Sequence, residues 1–339
     1  MKPLYDIVFI TTIPAFYKVK LFNEIAEQRR IMVLYTGSST GLRSNDFFGE
    51  RSRFESISLG SSSLKVFGQV VSFFWCNHVD RLVVSGWDTL SSYLATFLHP
   101  KKRNGCIVES SVYESAVTGI KAFFKRLLLK RVSVVYVSGG SQRKLVEDLH
   151  FSGRIIEFGG CGILNYVEQP AFSPRSEVTS FLYVGQVIEK KGLELLVSVF
   201  NRLPQLRLSI IGDGPQRKEL EKNANDNIVF LGAINNKELP RYYKSADVFV
   251  LPSKVEPWGL VVEEALNNGT PVIVSNHVGC ASSLVCPNNV GLVFESGDDN
   301  SLEGAIFKIC NVDFYNQLRK NVSILDFSVR SRHQVEVFL

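Results

Sequence analysis

Paired cysteines, membrane-length apolar runs and metal-ligand spacing are all missing from this chain of 339 residues. Its six cysteines, at 76, 106, 161, 280, 286 and 310, include no C-x-x-C pair and no regular spacing. Neither a zinc site nor a disulfide framework is signalled, and a reducing cytoplasm fits. The five histidines, at 78, 99, 150, 277 and 333, are scattered without ligand spacing and are expected on the surface or in the core. The longest apolar stretches, such as Val66 to Cys76 and Ile107 to Val117, are interrupted well short of the roughly 18 residues that span a bilayer, so no transmembrane helix is predicted. The amino terminus has Lys2 and an apolar run to Ile10, but Asp6 interrupts it and no small-residue cleavage site follows. A first strand is expected there, not a signal peptide. No repeat or low-complexity tract stands out.

A hydrophobic share of 45% with 11% aromatics belongs to a globular chain, and the length suits two domains of ordinary size. Short β-rich runs at 6–12, 31–36, 81–85, 106–108 and 132–137 alternate with helical periodicity, as in 19–29 and 141–149. Such alternation predicts parallel strands joined by helical crossovers. At Gln169 to Ser176 two prolines and small polar residues interrupt the pattern. It resumes with strands at 180–184, 206–211, 228–231, 248–251 and 271–274. The expected fold is α/β, two Rossmann-like domains facing across a central cleft: 1–168, a linker at 169–178, a second domain at 179–312, and a polar tail at 313–339 with the option of packing back on the first domain.

The formal net charge of +5 matters only where cations cluster. Lys121, Lys125, Arg126, Lys130 and Arg131 are interleaved with Phe123, Phe124 and Leu127 to Leu129 on a predicted helix with one basic and one greasy side. Two readings stand: peripheral contact with anionic phospholipid, or a core helix whose apolar face packs on the sheet beneath solvated cations. No nucleic-acid-binding module accompanies the cations, so a nucleic acid is not an expected partner.

Four strand-to-helix junctions in the second half are where open parallel sheets bind ligands. Val184-Gly185-Gln186 runs through Glu189-Lys190-Lys191 to Gly192, a turn that lets backbone approach a phosphate while an ammonium neutralises it. Gly212-Asp213-Gly214-Pro215 begins like a dinucleotide fingerprint but has Arg217 where the third glycine belongs, which weakens any case for NAD. Phe230-Leu231-Gly232 is a strand end whose backbone could meet a nucleobase. Glu256 and Glu264 stand in an E-x7-E arrangement within Glu256-Pro257-Trp258-Gly259-Leu260, which leads into Glu263-Glu264-Ala265. Pro257 and Gly259 break the chain, which leaves Glu256 on a loop and puts Glu264 on the following helix.

In this order and spacing, the stretch from about 180 to 310 closely resembles the nucleotide-binding half of retaining glycosyltransferases of GT-B architecture, the family 4-like group that includes bacterial polysaccharide and O-antigen enzymes. The resemblance implies that Glu256 contacts donor-sugar hydroxyls and that the amides around Trp258, Gly259 and Leu260 face the diphosphate. Glu264 then holds the ribose hydroxyls, and Lys191 pairs with the diphosphate. Spacing within the motif selects Glu264 over Glu263. A carboxylate accepts two hydroxyl hydrogen bonds, and a lysine with a helix start stabilises charge on a leaving diphosphate. Where the family usually carries an arginine, two residues after the strand, this chain has Gln186; an amide brings no charge, so neutralisation rests on Lys191 or another cation such as Lys254. The donor set is therefore Gly185, Gln186, Lys191, Glu256, Trp258, Gly259, Leu260 and Glu264, the catalytic set Glu256, Lys191 and Glu109.

The first half resembles the family only loosely. Glu109, at the end of Cys106-Ile107-Val108, is the candidate to orient an acceptor hydroxyl or take its proton, with Glu114 as competitor. The resemblance further implies a metal-independent enzyme with no cofactor, using a UDP- or GDP-sugar donor and a glycan acceptor, expected to be lipid-linked, at the inner face of the cytoplasmic membrane. No Asp-x-Asp triplet is present. Two alternatives stay open: another nucleotide-sugar enzyme of this fold, an epimerase or soluble synthase, and a non-catalytic nucleotide-binding regulator.

Overall fold

The computed structural model describes residues 4–37, 50–60, 62–160, 162–163 and 166–339. It separates into two compact units, Met1–Cys161 with Arg330–Leu339, and Gly162–Val329.

In the first unit, strands β1 (Leu4–Thr11), β2 (Ile31–Tyr35), β3 (Glu55–Ser58), β4 (His78–Ser85), β5 (Asn104–Val108), β6 (Val134–Val137) and β7 (Arg154–Glu157) form one sheet in the order β3-β2-β1-β4-β5-β6-β7. Every pairing is parallel. Helices bury both faces, which is why the strands are continuously apolar. Along β1, Val8 and Ile10 enter the core with Phe73 and Leu128, while Ile7 and Phe9 enter the opposite core with Phe22 and Phe338. Phe338 reaches this core from the end of the chain, with its ring 4.5 Å from that of Tyr136.

The second unit repeats the plan. Strands β8 (Ser180–Val184), β9 (Arg207–Ile211), β10 (Ile228–Gly232), β11 (Val248–Leu251), β12 (Val272–Ser275) and β13 (Gly291–Phe294) are parallel in the order β10-β9-β8-β11-β12-β13. Strand order reverses between β8 and β11, so their carboxyl ends frame the crevice where such sheets take ligands. Two parallel-sheet α/β units are therefore present, as the alternation predicts. Strands β3, β7 and β13, absent from the sequence reading, are all at sheet edges, where one flank is unpaired and an apolar run is not required.

The stretch expected as a linker is held on the second unit. Gln169 Nε2 donates to Leu266 O and Val322 O at 3.0 and 2.9 Å, and Arg175 N donates to Asn316 Oδ1 at 2.8 Å. The tail divides: the helix Val312–Ser323 stays with the second unit, its Tyr315 hydroxyl donating to Asp247 O at 2.7 Å, while residues 330–339 join the first.

The basic helix, Gly119–Leu129, is not the core helix beneath solvated cations that one reading expected. Ala122, Leu128 and Leu129 pack inward, but Ile120, Phe123 and Phe124 point to solvent. Lys125 is buried and donates to Ser115 Oγ at 2.6 Å and Ala116 O at 2.7 Å. Arg126 donates to Val117 O and Arg131 to Thr96 O. Three of the five cations thus close loops of their own unit, and Lys121 and Lys130 remain exposed. Among the described residues no helix is long and apolar enough to cross a membrane. The described cysteines are free, and Cys161 lies outside the described residues.

Candidate active site

At the carboxyl end of β8 the chain turns at Gly185, whose φ of +156° and proximity to Tyr183 disfavour a side chain. Gly185 N donates to Ile211 O at 3.0 Å and Val187 N to Asp213 O at 2.9 Å, which ties this loop to the turn after β9. The two turns touch through glycine: a Cβ on Gly212 (φ +134°) would lie 1.8 Å from Gly185 O. Beneath them the Tyr183 hydroxyl donates to Gln186 O at 2.8 Å. Burial, reinforced by the nearby Glu256 charge, holds that phenol well above its ordinary range, so it remains a neutral donor.

The loop continues through a 3-10 turn, Glu189–Lys191, to Gly192 (φ +67°). Gly192 packs so closely on Pro252 O that a Cβ would lie 2.3 Å from it. Lys254 N donates to Lys190 O at 2.8 Å. These contacts zip the loop after β8 to the loop after β11. Across the seam the Lys191 ammonium pairs with the Glu256 carboxylate, both side chains largely buried at 19% and 15% exposure.

Glu256 is fixed from behind as well. Its N donates to His277 O at 3.2 Å and its carbonyl accepts from Gly279 N at 2.9 Å, a short parallel bridge to the loop after β12. His277 Nδ1 lies 2.9 Å from Lys254 O, which makes that nitrogen the protonated one, because a carbonyl only accepts. Trp258 O accepts from Cys280 N at 3.0 Å. The Trp258 ring is buried, and its Nε1 has no hydrogen-bond partner among the described residues. What this residue offers a ligand is backbone.

The helix Leu260–Asn267 begins at Gly259 (φ +101°), with no side chain capping it, so its first amides are free of side-chain acceptors. Glu263 is buried, whereas Glu264 is only partly so. Tyr243, from the helix Leu239–Ser245, donates its hydroxyl to Glu264 Oε2 at 3.0 Å. Withdrawal from water pushes the Glu264 carboxyl up to about 7; the Tyr243 hydrogen bond pulls it down, and the Glu263 charge adds to the rise.

Gly185, Gln186, Lys191 and Glu256 are thus gathered around Tyr183, with Gly259, Leu260 and Glu264 on the adjoining helix. Lys254 keeps its ammonium exposed, 3.9 Å from Glu189 and 4.0 Å from Glu194. Tyr183 and Tyr243 were not singled out by sequence; nothing in a strand-end or helical tyrosine marks it as the support of another residue.

Glu109 belongs to the first unit, directly after β5. Both its oxygens lie 3.0 Å from Lys18 Nζ, which also donates to Thr11 Oγ1 at 2.9 Å. Lys18 is buried while Glu109 remains 41% exposed at its side chain. Lys18 did leave a sequence trace: it shares a helical face with Phe22 and Ile25, an unexpected place for a lysine. Glu114 accepts from Ser111 N at 3.3 Å, a bond within its own loop.

Residues 168–323 match the family described as Glycosyl transferases group 1. The sulfoquinovosyl transferase SQD2 of Arabidopsis thaliana is 40% identical over 122 residues, 34% of this chain and 24% of that one. The lipopolysaccharide core biosynthesis glycosyltransferase LpsE of Rhizobium meliloti is 29% identical over 160 residues, 46% of each. The chain thus spans under half the length of these curated relatives. The solved structure of Anabaena Alr3699/HepE in complex with UDP and glucose shares the fold over 98% of this chain and 99% of that one, with a TM-score of 0.72 at 15% identity.

Proposed function

We propose that this chain, whose residues 168–323 are a group 1 glycosyltransferase domain, is a retaining transferase that moves a hexose from a nucleotide diphosphate sugar to a hydroxyl of a lipid-linked glycan in bacterial surface polysaccharide assembly. The observation that carries the reading is the Lys191–Glu256 pair, held at the carboxyl edge of the second sheet beside an uncapped helix start. Similarity to LpsE, a lipopolysaccharide core biosynthesis glycosyltransferase, supports the choice of acceptor class.

On this reading Glu256 accepts hydrogen bonds from donor-sugar hydroxyls, Glu264 from the ribose, and Lys191 exchanges part of its pairing for the diphosphate as charge builds there. The bond between the anomeric carbon and the diphosphate oxygen breaks. The acceptor oxygen bonds that carbon on the same face, and its proton passes to the leaving phosphate. No protein nucleophile is assigned. Glu109, paired with Lys18, orients the acceptor hydroxyl. With Gln186 exposed in the phosphate loop, Lys191 and the amides of Gly259 and Leu260 carry more of the diphosphate charge than an arginine would leave them. The chemistry calls on side-chain cations, and no metal or cofactor is assigned to it.

The test is incubation of the purified protein with labelled UDP- and GDP-sugars and a bacterial membrane lipid extract. Label entering the lipid phase, lost in Glu256→Ala, is the expected result. Epimerised free donor, or label on a soluble sugar phosphate alone, would overturn it in favour of an epimerase or a soluble synthase.

A further inference from the structure

We propose that the first unit holds the hydrocarbon chain of a membrane lipid with an anionic headgroup in the groove between the helices Leu90–Leu98 and Gly119–Leu129. The proposal deepens the reading above, because it rests on a lipid-borne acceptor and gives the lipid its own site. The groove has a volume of about 680 Å³ and is lined mainly by Trp87, Leu90, Tyr93, Phe97, Ile120 and Phe124. Ile120 is 77% exposed and Phe124 and Phe97 50% each. Side chains of this size left uncovered forgo apolar burial, so three on one groove mark a surface built to be covered. The apolar surface extends onto the adjoining helix Ser63–Cys76, which exposes Leu64, Phe67 and Trp75.

Charge selects the occupant. The cation buried under the groove, Lys125, is committed to Ser115 and Ala116, and lies 5.3 Å over the Trp87 ring. Asp88, the one carboxylate in the lining, acts electrostatically on that same lysine. Lys121 at the rim is exposed and makes no ion pair among the described residues. On the other side of the helix, Lys101, Arg126, Lys130 and His150 line a second pocket of about 370 Å³. An unpaired lysine at the rim of an apolar trough matches an amphiphile whose tail enters the trough and whose phosphate meets Lys121. A second copy of this chain, docked by two-fold symmetry about the groove, would bring Lys121 toward its own equivalent.

Tryptophan reports the tail directly. The chain has three tryptophans; Trp75 is on the open surface, Trp87 in the groove wall and Trp258 in the second unit. Vesicles of phosphatidylglycerol and phosphatidylcholine with brominated acyl chains are expected to quench the emission of Trp75→Phe, and the quenching is expected to vanish in the Trp75→Phe, Trp87→Phe double variant. Ile120→Glu with Phe124→Glu is expected to lower partition into these vesicles about tenfold or more while leaving the thermal melt and nucleotide binding unchanged. Vesicle binding that quenches Trp75 but not Trp87, no vesicle binding, or a dimer that Ile120→Glu with Phe124→Glu dissociates would each overturn the proposal. Quenching needs neither donor nor transfer. A protein that shows it and transfers no sugar would sink the functional reading alone; one that transfers sugar and leaves Trp87 unquenched would sink the groove alone.

Discussion

The Tyr243 hydroxyl donates to Glu264 across 3.0 Å, and this bond pulls down a carboxyl that burial raises to about 7. Ribose hydroxyls need the ionised form as their acceptor. Donor binding on this reading therefore strengthens from pH 6 to pH 8 and releases protons below pH 7. Calorimetric titration with UDP or GDP in buffers of different ionisation enthalpy measures that release, and binding with no proton exchange would count against Glu264. Tyr243→Phe removes the bond that lowers the pKa, so the binding profile is expected to shift to higher pH.

Stability should follow the same group with a definite sign. The folded carboxyl holds its proton more tightly than the unfolded one, so its contribution is complete below the ordinary value of 4.5 and is lost as pH rises through about 7. Glu264→Gln should flatten this dependence, and denaturant melts at pH 5 and pH 8 should show the variant gaining on the parent at the higher pH.

Removing one partner of the Lys191–Glu256 pair leaves the other charge largely buried. Lys191→Ala is expected to weaken nucleoside diphosphate binding by about ten- to a hundredfold, the worth of a charge-assisted hydrogen bond, and to spare nucleoside binding. Glu256→Gln is expected to abolish transfer while changing nucleotide affinity only a few-fold. Equal losses for nucleoside and diphosphate with Lys191→Ala would show that the lysine is structural.

Two glycine substitutions should have opposite signs. Gly212→Ala puts a Cβ 1.8 Å from Gly185 O at a left-handed φ, and is expected to cost about 1–3 kcal/mol or more and to disable donor binding. Gly304, in the helix Asp299–Ile309, has open space around a Cβ, so Gly304→Ala is expected to stabilise by roughly 0.5–1 kcal/mol. Chemical denaturation measures both.

Glu109→Gln is expected to lower transfer while leaving donor affinity intact, and Lys18→Met to do the same at a further cost in stability from the unpaired acid and the lost buried bond to Thr11. Chelation with EDTA is expected to leave transfer unchanged; its abolition, with recovery on adding a divalent ion, would require a metal in the mechanism.

Much of this molecule was legible from local pattern. Strands buried on both faces must be apolar for most of their length, so the central strands of both sheets could be read to within three residues at either end. Glycines at 185, 192, 212 and 259 could be read as turns because each takes a positive φ that side chains rarely adopt. The ordered motifs along the second half marked the turns and the helix start that the fold gathers at the carboxyl edge of the second sheet.

What the tertiary structure decided are relations across long stretches of chain. Lys191 meets Glu256 from 65 residues away, and Lys18 meets Glu109 from 91, and no spacing rule connects either pair. Three of the four edge strands, β3, β7 and β13, escaped because half their flank asks nothing of their sequence, while β10 was read. For the helix Gly119–Leu129, periodicity reports two faces but not which one turns inward. That choice depends on whether the carbonyls of Ala116, Val117 and Thr96 are there to take its cations, and only the folded chain brings those carbonyls within reach. With three of the five cations spent on the fold, the phenylalanines are left outside.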